Sequence, residues 1–377
     1  MPISTSAQGP RSRLRRMISG VAVALGVAAV SCASEESRGG AGTSPPVTAI
    51  APSQPAGTPD LGSPEVVAQG IDVPWGLAFL PDGTALVAER DSGRIVRVAP
   101  GRAPEPFYEV PGVVARGEGG LLGLAVDPAY TESGYIYAYF TAVDDNRIVR
   151  FREDTEPEVV IDGIAKAGNH NGGRIAFGPD GMLYVGTGDA GQRELSQDAS
   201  SPNGKILRLT PNGAPAPGNP EPGSPVLSLG HRNVQGLAWD RAGTLFAAEF
   251  GQNRLDEINV IEPGGNYGWP TVEGAGGADR GFIDPVLTWS TAQASPSGIA
   301  IAGDTLYVAA LRGERLWTAT VSEDSAADPK DFFRDDYGRL RTVEVAPDGA
   351  LWLTTSNTDG RGDVRDGDDR IVRFPAR

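Results

Sequence analysis

One pattern recurs six times along this chain, and it constrains the fold more than any other feature of the sequence. Gly76-Leu77-Ala78-Phe79 leads into the turn Pro81-Asp82-Gly83, then Ala85-Leu86-Val87-Ala88, then Arg94-Ile95-Val96-Arg97-Val98. The same order returns from Gly123-Leu124-Ala125-Val126 to Phe151, from Arg174-Ile175-Ala176-Phe177 to Leu209, and from Gly236-Leu237-Ala238-Trp239 to Ile261. A fifth copy runs from Gly298-Ile299-Ala300-Ile301 to near Trp317, and a sixth from Thr342-Val343-Glu344-Val345 to Phe374. The starts lie about 45–60 residues apart, the spacing of a propeller blade. Short alternating apolar segments joined by tight turns argue for strands, and no segment holds a 3.6-residue period. One such unit cannot bury both faces of its sheet, whereas six in a ring can. The pattern predicts an all-β, six-bladed β-propeller over residues 63–377. Glu65-Val66-Val67-Ala68 belongs to no copy and is expected to pair with the last blade and close the ring.

The N-terminus reads differently. Arg11, Arg13, Arg15 and Arg16 precede a run of small and apolar residues, Met17 to Ser31, that is short for a membrane span. The run ends at Cys32, the only cysteine, in Ala29-Val30-Ser31-Cys32. That string resembles a bacterial lipobox, so residues 1–32 are expected to be a signal peptide and Cys32 a lipidation site. Arg15-Arg16 is a weak twin-arginine feature, which leaves the export route open. Residues 33–62, rich in Ala, Gly, Ser, Pro and Thr, read as a flexible tether. The chain is therefore expected to be exported and to touch a membrane only through this anchor.

Charge narrows the function. Forty-eight acidic and 33 basic residues give a net −15. Loss of residues 1–32, with four arginines and no acid, would bring it to −19. Such a chain is a poor nucleic-acid binder, which needs a basic face. One Cys and two His leave few ways to build a transition-metal site, and no C-x-x-C-H haem attachment signature is present. Gly186-Thr187-Gly188-Asp189-Ala190-Gly191 satisfies G-x-G-x-x-G, but no apolar-striped helix follows it, so a dinucleotide site is not expected. The acidic stretch from Asp363 to Asp369 lacks the closing Glu of an EF-hand loop.

Both histidines lie in polar loops at blade ends: His170 in Gly168-Asn169-His170-Asn171-Gly172-Gly173, and His231 in Gly230-His231-Arg232-Asn233-Val234-Gln235-Gly236. Loops on one propeller face converge on the axis. Arg339 and Arg341 stand at i and i+2, so on a strand both guanidinium groups share a face. With Arg232 and Arg312 they suit a ligand carrying several carboxylates, or pair with the chain's own acids.

Several of these segments occur in a specific order. His170-Asn171-Gly172-Gly173-Arg174 is followed by the Gly186–Gly191 loop, Ser201-Pro202-Asn203-Gly204-Lys205 and Gly230-to-Gly236. Asp256-Glu257-Ile258-Asn259, Gly264-Gly265-Asn266-Tyr267-Gly268-Trp269-Pro270 and Arg339-Leu340-Arg341 complete the series. Over roughly residues 63–375 this resembles the soluble glucose/sorbosone dehydrogenase family, especially its bacterial aldose sugar dehydrogenases. The resemblance implies a propeller that binds pyrroloquinoline quinone (PQQ) and Ca2+ in a cleft on one face. It implies oxidation of an aldose at C1 to a lactone, with electrons passed to an external acceptor. His170 falls on the general base and Asp189 on the carboxylate beside it. Arg232, Asn233, Arg339 and Arg341 match cofactor contacts. Trp289 and Thr291 lie near a cofactor-flanking segment. Gly251 and Gln252 align with the carbonyls of the cofactor-bound calcium, and Glu257 with the Tyr267 carbonyl at a second calcium position.

Two positions depart from the family. Arg312 stands where a Lys contacts the cofactor. Glu118, in Gly117-Glu118-Gly119-Gly120, stands where a Gln lies beside it. A carboxylate facing a polyanion costs affinity unless it is protonated, calcium-bound or turned away. Two other functions fit a propeller: a calcium-dependent lactonase or hydrolase, and a tethered carbohydrate- or protein-binding module. The sequence leaves the sugar, the acceptor and the choice of monomer or homodimer open.

Overall fold

A computed structural model describes residues 57–377, so the segment read as a signal peptide, Cys32 and most of the tether lie outside the described residues. Among the described residues twenty-four strands form six antiparallel four-stranded sheets, and the one α-helix, Tyr130–Ser133, has a single turn. Blade 1 spans Pro74 to Glu109, blade 2 Leu121 to Ile164, and blade 3 Ile175 to Leu229. Blade 4 spans Val234 to Ser290 and blade 5 Pro296 to Phe332. Blade 6 takes three strands from Leu340–Val345, Leu351–Thr355 and Arg370–Phe374. Its fourth strand is Glu65–Gln69, paired antiparallel with Arg370–Phe374 as the sequence predicts.

Closure begins before residue 63. Pro59 bridges to Ala376, and the Asp60 N–H donates to the Pro375 carbonyl at 2.7 Å. The end of the segment read as a tether therefore runs beside the C-terminus.

The apolar residues of the repeat explain the ring. They gather in six clusters, each dominated by facing sides of two neighbouring blades. Ala248 and Ile258 of blade 4, for instance, pack against Ile299 and Val308 of blade 5. Each fully buried Leu, Ile or Phe contributes about 1.5–3 kcal/mol, and an isolated blade would leave both faces of its sheet in water.

The glycine that opens most copies has a steric cause. A Cβ on Gly76 would lie 2.4 Å from the Leu122 carbonyl oxygen, and one on Gly123 would lie 2.2 Å from that of Gly173. The innermost strands meet backbone to backbone near the axis, so only glycine fits. The two copies that lack it carry Arg174 and Thr342 instead. These residues join blade 3 to blade 6: Arg174 Nη2 donates to Thr342 Oγ1 at 3.0 Å, and its Nε donates to the Gln235 carbonyl at 2.7 Å. The Arg174 guanidinium also lies 4.4 Å from the centroid of the buried Trp75 ring. A polar plug thus fills space that a backbone contact fills elsewhere.

Candidate active site

The antiparallel order of each blade puts the start of its first strand and the end of its second at the same end of the ring. Glu118, His170, Arg232 and Arg339 precede first strands, while Asp189, Gly251, Arg312 and Asp359 follow second strands. Residues from five blade junctions, far apart in sequence, therefore converge on one face.

A cavity of about 390 Å³ opens there. Its wall includes Arg90, Arg312, Arg339, Arg341 and Arg361 against only two carboxylates, Glu118 and Asp359. Three surplus positive charges in a protein of net −15 make this a local reversal of sign suited to a polyanion.

Of the two partners open to Arg339 and Arg341, an outside anion or the chain's own acids, the second is present. An anion from the chain already bridges them: Asp359 Oδ2 lies 2.8 Å from Arg339 Nη2 and 3.5 Å from Arg341 Nη2. Burial pushes the Asp359 carboxyl up, but the Arg341 and Arg339 charges outweigh it and hold it below the ordinary range. Arg341 also donates to Gln235 Oε1 at 3.0 Å, and Ser297 Oγ donates to the same oxygen at 2.9 Å. Asp359 was missed because nothing in Ser356-Asn357-Thr358-Asp359-Gly360 marks one acid as buried. Gln235 stood in a recognised segment without an assigned role.

Glu118 also departs from expectation. Its Oε1 accepts from Arg361 Nη1 at 2.8 Å, and its Oε2 accepts the His170 backbone N–H at 2.9 Å. An arginine absent from the sequence reading neutralises the carboxylate, so its presence on the wall is compatible with an anionic ligand.

His170 lies one hydrogen bond behind this wall. Its backbone is left-handed, with φ 56°, an uncommon conformation for a residue other than glycine. Close packing holds it there, since a Cβ on Gly188 would lie 1.8 Å from the His170 carbonyl oxygen. His170 Nδ1 lies 2.7 Å from Asp189 Oδ1. The second Asp189 oxygen accepts the Trp269 indole N–H at 2.8 Å, and Oδ1 also accepts the Gly191 N–H at 2.7 Å. Burial pushes the Asp189 carboxyl up, yet His170 and these donors bring it below its ordinary value of 3.8. An ionised Asp189 only accepts, so Nδ1 carries a proton, and in the neutral ring this selects the tautomer with its lone pair on Nε2. The sign of the pH effect follows. This pairing stabilises the fold above the unfolded aspartate value and loses that contribution as pH falls through the lower folded value. Asp189→Asn is therefore expected to unfold at lower urea than the unsubstituted protein at neutral pH. Denaturation midpoints measured against pH should converge below about pH 4.

Arg232 and Asn233 sit beside this pair. Arg232 Nη1 donates to the carbonyl of Phe250, a cavity residue, at 3.1 Å. Asn233 Oδ1 accepts the Gly172 N–H at 2.9 Å. Arg232 Nε, Asn233 Nδ2 and Arg341 Nε are buried donors without a protein partner. Buried donors are ordinarily satisfied, so three orphans around one face fit an acceptor-rich ligand.

Not every expected residue comes to the cavity. Trp289 lies in the outer strand of blade 4 and packs in the layer toward blade 5, its ring 5.3 Å from that of Trp317. Thr291 follows it in a turn and is not part of the wall. Arg312 does line the cavity. Glu257 and Tyr267 form a separate buried group: Glu257 Oε1 accepts the Gly274 N–H at 2.6 Å, and the Tyr267 ring stacks 4.6 Å from His231. Burial and the facing Glu249 charge push the Glu257 carboxyl up. Asn259 Nδ2 donates to both carboxylates, at 3.0 Å to Glu249 and 3.2 Å to Glu257.

His231 belongs to a different arrangement. Ser228 Oγ lies 2.9 Å from His231 Nε2, and His231 Nδ1 lies 2.8 Å from Glu249 Oε1. That is the order of a hydrolytic triad, but the side chains of His231 and Glu249 are 0% and 4% exposed and Ser228 is fully buried. No substrate reaches Ser228 in this packing, so the trio ties strands together and lends no support to a hydrolase. Among the described residues, no three His, Cys, Asp or Glu side chains cluster as a metal site. No helix among them is long and apolar enough to cross a membrane.

Fold and site together define a propeller with a guanidinium-lined cavity next to a carboxylate-held imidazole. The model of the Glucose / Sorbosone dehydrogenase family matches residues 71–366. The Escherichia coli aldose sugar dehydrogenase YliI is 31% identical over 338 residues, covering 78% of this chain and 90% of that protein. The structure of the PQQ-bound aldose sugar dehydrogenase from Streptomyces coelicolor is 55% identical with a TM-score of 0.80, covering 86% of this chain and all of that one. The apo-form of the soluble Escherichia coli aldose sugar dehydrogenase is 28% identical with a TM-score of 0.75, covering 84% and 99%. The chain belongs to the glucose/sorbosone dehydrogenase family and is an oxidoreductase.

Proposed function

We propose that this protein oxidises aldose sugars at C1 to lactones, using PQQ and calcium, and hands the electrons to an external acceptor. The observation that carries the reading is a cationic cavity in an acidic protein, whose wall residue Glu118 accepts the backbone N–H of His170, a histidine whose imidazole is held by Asp189. The residues fit the cofactor. Arg312, Arg339 and Arg341 would hold its carboxylates, and the orphaned donors of Arg232 and Asn233 would meet acceptors on its ring system. Calcium asks for hard oxygen ligands, and the Gly251 and Gln252 carbonyls accept no hydrogen bond from the described residues. Glu257, whose carboxylate shares the Asn259 Nδ2 donor with that of Glu249, would with the Tyr267 carbonyl supply oxygens to a second calcium ion. When bound, the quinone supplies a hydride acceptor and calcium the Lewis acid that polarises it.

The chain's own part is binding and proton handling. His170 Nε2 takes the proton of the sugar C1 hydroxyl as hydride leaves C1. Asp189 keeps the ring in the tautomer that leaves Nε2 free and stabilises the imidazolium that forms, while Trp269 fixes Asp189. Export and lipidation at Cys32 would place this chemistry outside the cytoplasm, as a monomer or homodimer on a tether.

The test is dye-linked dehydrogenase activity of purified apo-protein on glucose and a small aldose panel. Turnover is expected only with PQQ and calcium added together. No turnover and no change in the PQQ spectrum would sink the reading and favour a binding propeller.

A further inference from the structure

The segment 268–274 of blade 4 carries more than Trp269. Glu273 Oε1 accepts the backbone N–H groups of four consecutive residues. Gln252 is at 2.8 Å, Asn253 at 2.9 Å, Arg254 at 2.8 Å and Leu255 at 3.2 Å. Four donors converging on one oxygen form a nest around an anion. Burial pushes the Glu273 carboxyl up, but these N–H groups outweigh it and hold it below the ordinary range.

This arrangement dictates where two carbonyls point. In a trans peptide the C=O of one residue lies opposite the N–H of the next. The bonds Gly251–Gln252 and Gln252–Asn253 are not among the cis bonds of the chain. With the Gln252 N–H turned toward Glu273, the Gly251 carbonyl is turned away from it. The Asn253 N–H does the same to the Gln252 carbonyl. No donor among the described residues reaches either oxygen.

The rest of the loop is pinned independently. Asp256 Oδ1 accepts the Gly251 N–H at 2.9 Å, and its Oδ2 accepts the Ser295 N–H at 2.6 Å. Ser295 and Phe250 both line the cavity, so the loop lies at its wall. Glycine at 251 is required, since a Cβ there would sit 1.7 Å from the Leu255 carbonyl oxygen and 2.8 Å from Glu273 Oε1.

We propose that Glu273 is a positioning residue for calcium, which turns the Gly251 and Gln252 carbonyls outward as a pre-formed pair of oxygen ligands without ligating the ion itself. This rests on the quinone and calcium reading above. A ligand pair already oriented loses little freedom on binding, and loss of an orienting partner typically costs 10–100-fold in metal affinity. The same segment serves both halves of the site, because Trp269 donates to Asp189 and Gly274 to Glu257.

The experiment is calorimetric titration of Ca2+ into the PQQ-loaded protein, paired with unfolding temperatures of the metal-free forms. Glu273→Ala is expected to raise the calcium Kd at least about tenfold. Glu273→Gln keeps one uncharged acceptor and is expected to fall between the two. Where Glu273→Ala does not fold, the decision rests on Glu273→Gln, whose Kd should rise measurably. A lower unfolding temperature with unchanged calcium Kd in both variants would reduce Glu273 to a structural tie and overturn the proposal. Absence of calcium binding by the unsubstituted protein would overturn the quinone and calcium reading itself, and this proposal with it.

Discussion

Substitution of His170 by Ala is expected to lower kcat for aldose oxidation by roughly 10²–10⁴-fold, the range that a positioned general base supplies. The imidazole is held at Nδ1 by Asp189 at 2.7 Å, and its backbone N–H is held by Glu118 at 2.9 Å. Both anchors fix a ring whose free nitrogen is Nε2. Removing the ring should leave the cavity arginines in place, because Arg339, Arg341 and Arg361 are held by Asp359, Gln235 and Glu118 rather than by His170. PQQ affinity is therefore expected to change little while kcat collapses. Steady-state kinetics combined with a PQQ binding titration separates the two effects. Retention of full turnover by His170→Ala would remove His170 from the chemistry. Weak PQQ binding in the variant would instead make it a cofactor residue.

Substitution of Arg341 by Ala should show the opposite pattern. Arg341 is buried, donates to Gln235 and faces Asp359, with Trp75 5.7 Å below its guanidinium carbon. Burial pushes its pKa down to about 9, with Asp359 acting against that shift, so it still carries its charge at neutral pH. Truncating one member of a buried charge pair typically costs 2–5 kcal/mol of binding. A loss of about 2 kcal/mol corresponds to a roughly 30-fold rise in the PQQ dissociation constant. Arg341→Lys keeps the charge but not the fork, and is expected to recover only part of the loss. Because Arg339 still pairs with Asp359 at 2.8 Å, the variant should remain folded. Equal PQQ affinity in Arg341→Ala and the unsubstituted protein would exclude Arg341 from the cofactor site.

Glu118 illustrates how a residue's partners change its meaning. Read as one letter at a position where relatives carry a neutral side chain, it looked hostile to an anionic cofactor. In the fold it is a bridge between Arg361 of blade 6 and the backbone of His170, with its charge compensated. The two residues of that ion pair are 243 positions apart in sequence, and no local pattern connects them. Trp289 illustrates the reverse. Its place in the sequence put it near a cofactor-flanking segment, but the outer strand of blade 4 turns it into the packing layer against Trp317.

The sequence by itself determined the ring. Repeat spacing, alternation and turn residues act over a few positions, so they are readable along one dimension. They carried the six blades, the closing strand and the end of the blades where function gathers. Ordered motifs also singled out His170, Asp189, Arg232, Asn233, Arg339 and Arg341. Only the tertiary structure decided which charges cancel and which stay free. Asp359 between two arginines and Glu273 under four amides join loops about 20 residues apart within one blade, and Arg361 on Glu118 joins segments that meet only through the closing of the ring. Electrostatics and hydrogen bonding depend on separations of a few ångströms in space. Sequence order does not encode those separations across blades, and so the balance of the site became visible only in three dimensions.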